Sequence, residues 1–141
     1  MTRSKRQANI FLIYAHRDKE TIHKLYQRIH KNGINIWLDT EKLQPGQNWK
    51  YEIRKAILRS DVVVVCLSWA FNQQQGYRHE ELKIALKKAT LLSEGETYII
   101  PARLENCEMP QSLRHLHCVD LFENNGYKKL LRTLKNYAST K

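Results

Sequence analysis

Cysteine is scarce, and its spacing suggests no pairing. Cys66, Cys107 and Cys118 are odd in number and far apart, with no C-x-x-C among them, which argues against a disulfide framework or a zinc site. They read as reduced thiols. The six histidines form no H-E-x-x-H pattern, and His115 and His117 lie in a basic segment without a carboxylate cluster, so no metal site is expected. Long apolar runs are missing too: the longest, residues 62–67, is far too short to cross a bilayer. The basic N-terminus is followed by an apolar stretch of only residues 10–15 with no convincing cleavage site, which argues against a secretory signal. The expected location is the cytoplasm, with no membrane partner. Neither G-x-G-x-x-G nor G-x-x-x-x-G-K-[ST] occurs, which removes a conventional dinucleotide dehydrogenase and a P-loop nucleotide triphosphatase. No linker, repeat or low-complexity segment is evident.

What remains is the composition of one globular domain. A chain of 141 residues, 42% hydrophobic and 27% charged, is long enough for one core and too short for two substantial ones. The domain is expected over residues 9–136, between a basic tail (1–8) and a short C-terminal tail (137–141). Lys and Arg exceed Asp and Glu to give a net charge of +10, which favours anionic partners. Because that excess is spread along the chain without a polybasic block, a nucleic-acid module is the weaker inference.

Hydrophobic period organises the chain into alternating elements. Residues 9–14 (NIFLIY) read as a strand, and Ile22, Leu25, Tyr26 and Ile29 then recur at helical spacing over 18–31, closed by Asn32-Gly33. A second strand is expected at 34–38. A loop at 39–48 carrying Pro45-Gly46 leads to a helix over about 49–59, for which Trp49 is the expected anchor. Residues 62–67 (VVVVCL) are so continuously apolar that both faces must be covered, as in a central parallel strand. A polar loop at 68–81 should precede a third helix with Leu82, Ala85, Leu86 and Ala89 inward; strands at 98–104 and 118–122 and a last helix from Tyr127 complete the pattern. Such βα alternation implies a doubly wound, five-stranded parallel sheet of flavodoxin-like order 2-1-3-4-5 with helices on both faces. A ligand crevice is then expected beyond strands one and three, between loops 15–19 and 68–81. A phosphoacceptor receiver domain shares this fold class but needs acids where this chain has YAHR and CLSWA.

These loops carry a family pattern. FLIYAHRDKE resembles the first motif of bacterial TIR (Toll/interleukin-1 receptor) domains, INIWLDTEKLQPGQNW resembles their second strand and BB loop, and GYRHEELKIAL resembles the stretch holding the catalytic glutamate of the NAD-cleaving members. IIPARLENCEMPQSLRHLHCVDL and GYKKLL are similar to the end of such a domain. The resemblance implies an NAD+ nucleosidase that splits the nicotinamide–ribose bond to give nicotinamide and ADP-ribose or a cyclic ADP-ribose, with NAD+ as substrate and no further cofactor. It implies self-association through TIR–TIR contacts including the BB loop, a sensor domain or partner protein, and a place in antiphage immunity. The alternative is a non-enzymatic TIR–TIR interaction module.

By this resemblance Glu81 is the catalytic acid. Tyr77 takes the aromatic position four residues earlier, where the family usually has tryptophan, and Ile13 stands where many relatives have serine. Substrate contacts are implied for Ala15, His16 and Arg17 after strand one and for Asp39, Lys42 and Leu43 around the BB loop. Ser68, after strand three, is a hydrogen-bonding candidate by its place at the crevice. Two adjacent acids compete on the residues alone: relative to the apolar stripe, Glu81 falls at its edge and Glu80 nearly opposite. Without the resemblance, Glu81 is an acid in the first turn of a helix, favoured there by the macrodipole whatever the function.

Overall fold

The computed structural model describes residues 8–37, 44–73, 77–92 and 95–140. Five strands form one sheet: β1 (Ile10–Ile13), β2 (Ile36–Trp37), β3 (Val62–Leu67), β4 (Ile99–Arg103) and β5 (Val119–Asp120). They lie in the order β2-β1-β3-β4-β5 with every pairing parallel. The helices are α1 (Lys19–Lys31), α2 (Trp49–Arg59), α3 (Trp69–Gln73), α4 (Tyr77–Ala89) and α5 (Gly126–Thr140).

The two-residue period of a strand explains why the apolar run 62–67 needs cover on both sides. Val62, Val64 and Cys66 join Ile10, Leu12 and Tyr14 in a cluster with Ile22, Leu25 and Ile29 of α1 and Leu130 and Leu134 of α5. Val63, Val65 and Leu67 join Phe11, Ile13 and Ala15 in a second cluster with Ile53 and Ile57 of α2 and Leu82 and Ala85 of α4. Ala8, assigned to the tail by sequence, is buried in the first cluster. At the other end α5 runs to Thr140, through most of the stretch expected to be a tail.

Two expectations from the sequence are corrected. The stretch 68–81 is not a loop throughout, because it contains the whole of α3 and the first five residues of α4. Ser68 supplies the helix start: its Oγ accepts from the Phe71 N–H at 3.0 Å, an N-cap that a reading by apolar period passes over. Trp49, the expected anchor of α2, is not buried. It is exposed, and the helix start is held by Asn48, whose side chain accepts from the Tyr51 N–H at 3.2 Å.

The short edge strand β5 is secured by a side-chain pair. Arg103 donates from Nε to Asp120 Oδ1 at 2.7 Å and from Nη2 to Oδ2 at 2.9 Å, and from Nη1 to the Cys107 carbonyl at 2.8 Å. Hydrogen bonding to Arg103 holds the Asp120 carboxyl below its ordinary value. The linkage sign follows: this contribution is present in full above the unfolded carboxylate pKa of about 3.9 and is lost as pH falls through the lower folded-state value. Urea midpoints measured between pH 7 and pH 3 should fall less steeply in Arg103→Met than in the native chain. Identical slopes would show that the pair adds no pH-dependent stability.

Candidate functional site

The chain leaves β1 and β3 toward opposite faces of the sheet, so the loops beyond these adjacent strands diverge and open a crevice there. After β1, Ala15 is fully buried, and its carbonyl accepts from the Asp18 N–H at 2.9 Å to close a 3-10 turn, His16–Asp18. This turn leaves His16 and Arg17 exposed, and Asp18 partly buried at the start of α1.

Asp18 links the two sides of the crevice. Ser68, at the end of β3 and 1% exposed, donates its hydroxyl proton to Asp18 Oδ2 at 2.5 Å while accepting from Phe71. Phe71 is fully buried in the cluster that holds Ala15, Leu82 and Ala85. Its ring centroid lies 5.3 Å from that of His79, and its carbonyl accepts from His79 Nε2 at 3.2 Å. A continuous path of contacts therefore runs from the turn after β1, through Ser68 and α3, to the beginning of α4. Sequence reasoning nominated Ser68 and missed Asp18, Phe71 and His79 as its partners. The one legible signal was the Ser-x-x-Phe start of α3, a hydroxyl three residues before an apolar anchor.

Ser68→Ala should lower stability by about 1–3 kcal/mol, because it removes a helix cap and the proton donor to a part-buried carboxylate. Urea unfolding measures this, and a change within ±0.5 kcal/mol would show that the cap and bridge contribute little.

Glu81 sits in α4, and its burial sets it apart. It is 1% exposed, the one carboxylate buried among the described residues, while neighbouring Glu80 is exposed. A carboxylate is kept out of water only where partners offset a cost of several kcal/mol, and Glu81 is not without a partner. The helix begins at Tyr77, which places Glu80 in the first turn and Glu81 one residue beyond it. The expectation of Glu81 in the first turn is thereby corrected, and the dipole account weakens because that field falls off within a turn. Tyr77 stands one helical turn before Glu81 in α4.

Not every nominated residue is placed. Asp39, Lys42 and Leu43 lie outside the described residues. A groove along the edge of β4, lined by residues including Leu86, Ile99, Cys118 and Lys129, is separate from the crevice and touches none of the nominated residues. No cluster of metal-ligating side chains occurs among the described residues, and no described helix is long and apolar enough to cross a membrane.

Known proteins share both sequence and architecture with this chain. The NAD(+) hydrolase TcpA of Theionarchaea archaeon (strain DG-70-1) is 28% identical over 94 residues, covering 66% of this chain and 27% of that relative. The chain thus matches only a minor part of that longer protein. The TIR domain of the Toll-related receptor TRR-2 from Hydra magnipapillata superposes with a TM-score of 0.75 at 24% identity, covering 92% of this chain and 100% of that one. The Clostridium botulinum CMP N-glycosidase BcmB superposes with a TM-score of 0.57 at 18% identity, covering 92% and 98%. A TIR-domain profile matches residues 10–134, nearly the whole of the sheet and its helices, and the chain belongs to the TIR domain family.

Proposed function

We propose that this domain cleaves the bond between nicotinamide and ribose in NAD+, with Glu81 as the catalytic carboxylate. The observation that carries the proposal is the burial of Glu81 just beyond the first turn of α4, on the helix that packs against the contact path from the crevice. The similarity to a protein named an NAD(+) hydrolase supports it. The chemistry asks little else of the protein. As the C–N bond breaks, its electron pair leaves with nicotinamide and positive charge develops on the ribose, which a fixed carboxylate stabilises. Nicotinamide is a good leaving group and needs no general acid. Water then adds to the ribose carbon and loses a proton to give ADP-ribose, or the adenine ring of the same molecule adds and the product is cyclic.

In this proposal His16 and Arg17, both exposed at the crevice rim, meet the ribose hydroxyls or phosphates. Ser68 serves by holding the rim together, since its hydroxyl is already engaged on both sides. Asp39, Lys42 and Leu43 remain proposed contacts of the BB loop, and Tyr77 a proposed stacking partner. Assembly with further copies, through contacts that include the BB loop, activates the domain in cytoplasmic antiphage immunity, under a sensor domain or partner protein.

The test is nicotinamide release at high protein concentration, with and without a crowding agent, followed by chromatography of the ribosyl product. Release by the native chain and by Glu80→Ala, but not by Glu81→Ala, supports the proposal, and the product distinguishes hydrolysis from cyclisation. A folded, demonstrably assembled protein that releases none would leave a docking module as the better account.

A further inference from the structure

Helix α3 has only five residues, yet it is pinned on two sides. Toward β1, Ser68 caps the helix and reaches across to Asp18, and Phe71 is fully buried in the cluster that holds Leu82 and Ala85 of α4. Toward the segment after β4, the Trp69 N–H donates to Glu105 Oε2 at 2.8 Å, and Asn72 Nδ2 donates to the Glu108 carbonyl at 2.8 Å. A helix tied in this way is a fixed post beside the start of α4.

Helix α4 rests on the sheet by a different kind of contact. Its apolar stripe, Leu82, Ala85, Leu86 and Ala89, packs into the second core cluster. Apolar contact is non-directional, so the stripe alone tolerates small rotations of the helix about its axis. Hydrogen bonds are directional and set that rotation. Near the end of the helix, Lys88 donates to the carbonyls of Leu58 and Ser60 at 2.7 and 2.6 Å. Near its start, His79 Nε2 donates to the Phe71 carbonyl at 3.2 Å, and the two rings pack at a tilt of 32°. At about 100° per residue, His79 falls about 70° to one side of the stripe's centre and Glu81 about 90° to the other. The two residues are close in the chain and occupy opposite flanks of the helix. What fixes His79 against α3 therefore fixes the direction in which Glu81 is presented.

We infer that His79 is a positioning residue for Glu81: by hanging α4 from the Phe71 carbonyl it sets the helix rotation at which the carboxylate meets the substrate. The inference rests on the reading of Glu81 as the catalytic carboxylate of NAD+ cleavage. Its size follows from helix dimensions. A helix with its side chains has a radius of about 5–6 Å, so a rotation of about 10° moves a side-chain end by roughly 1 Å. A misplacement of that size can cost about 100-fold in rate. His79 does this without touching substrate and without changing protonation, since its Nε2–H is a donor to the carbonyl whether the ring is neutral or charged.

The experiment is nicotinamide release by the full chain at high protein concentration, over a range of NAD+ concentrations, for the native protein, His79→Phe, His79→Gln and Ile29→Ala. Phenylalanine keeps a ring against Phe71 and removes the donor, whereas glutamine keeps an N–H donor and removes the ring. Ile29→Ala opens the core on the other face of the sheet and controls for lost stability. In His79→Phe, kcat should fall about 100-fold while KM stays within about threefold of native. His79→Gln should recover kcat to within about fivefold of native, and Ile29→Ala should stay within about threefold. Melting curves and light scattering establish that each variant folds and assembles; should His79→Phe fail to fold, His79→Ala takes its place. A His79→Phe protein as fast as native, a loss carried by KM instead of kcat, or equal losses in His79→Phe and His79→Gln overturns the inference. So does an Ile29→Ala protein as slow as His79→Phe, since stability alone would then act. A native chain that releases no nicotinamide is a distinct result: it removes the chemistry at Glu81 and with it anything for His79 to position, whereas an active native chain with a fast His79→Phe removes the positioning role alone.

Discussion

Glu81→Gln should reduce nicotinamide release by about 100- to 1,000-fold, the typical cost of removing one preorganised electrostatic contact from a charge-developing transition state. The amide nearly matches the carboxylate in shape, so packing around a residue that is 1% exposed is kept while the negative charge is removed. That substitution separates charge from architecture. If Glu81 stabilises the ribosyl cation, kcat falls while the melting temperature stays level or rises, since burying a neutral amide costs less than burying a charge. If Glu81 is instead structural, removing a partnered carboxylate lowers the melting temperature and any loss of turnover follows unfolding. Glu80→Gln is the comparison, because that side chain lies on the exposed side of the same helix and should change the rate by less than about twofold, as surface substitutions change stability little. Turnover retained by a stable Glu81→Gln protein would remove Glu81 from the mechanism.

The second large effect concerns the fold. Gly126 opens α5 directly against β5, and a Cβ built there would collide with the Asp120 carbonyl oxygen and fall 2.9 Å from the Leu121 Cα. These are backbone atoms with little freedom: the Leu121 N–H donates to the Arg103 carbonyl at 2.8 Å, and Asp120 is gripped by the Arg103 guanidinium. Gly126→Ala must therefore push α5 off the sheet or pull β5 from its partner. A cost of about 2–3 kcal/mol is expected, or roughly 5–10 °C in Tm for a domain of this size, even after the better helix propensity of alanine. Gly33→Ala offers a contrast. Nothing lies within 4 Å of a Cβ there, but φ is +80°, so its cost is backbone strain of about 1–2 kcal/mol without displacement of α5. Near-UV circular dichroism at 25 °C separates the two: a repacked α5 alters the signal of Gly126→Ala and leaves that of Gly33→Ala close to native. A Gly126→Ala protein as stable as the native chain would show that the close approach is not needed.

The site was legible in the sequence wherever local period or chain order carries information. The apolar stripe of α4 separated Glu81 from Glu80, because 100° per residue converts adjacent positions into different faces, and the burial of the two side chains differs accordingly. Ser68 was legible as a polar residue at the end of β3. Its partner was not: Asp18 is fifty residues away, and nothing local to either residue says that a hydroxyl and a carboxylate meet across the crevice. The start of α3 was missed for a related reason. A helix of five residues has too few turns to display a period, and its existence rests on the Ser68 cap and on Phe71 packing against His79.

Local sequence determined the alternation of strands and helices, the inward stripes of α1 and α4, and the need to cover the run 62–67 on both faces, because each depends on the few residues that share a turn or a pleat. Only the tertiary structure decided which distant segments meet: that Asp18 braces Ser68, that Arg103 grips Asp120, that a glycine must open α5, and that Arg28 lies over the Tyr127 ring. Those outcomes follow from how the helices cross the sheet, and a pattern confined to neighbouring residues holds no information about that.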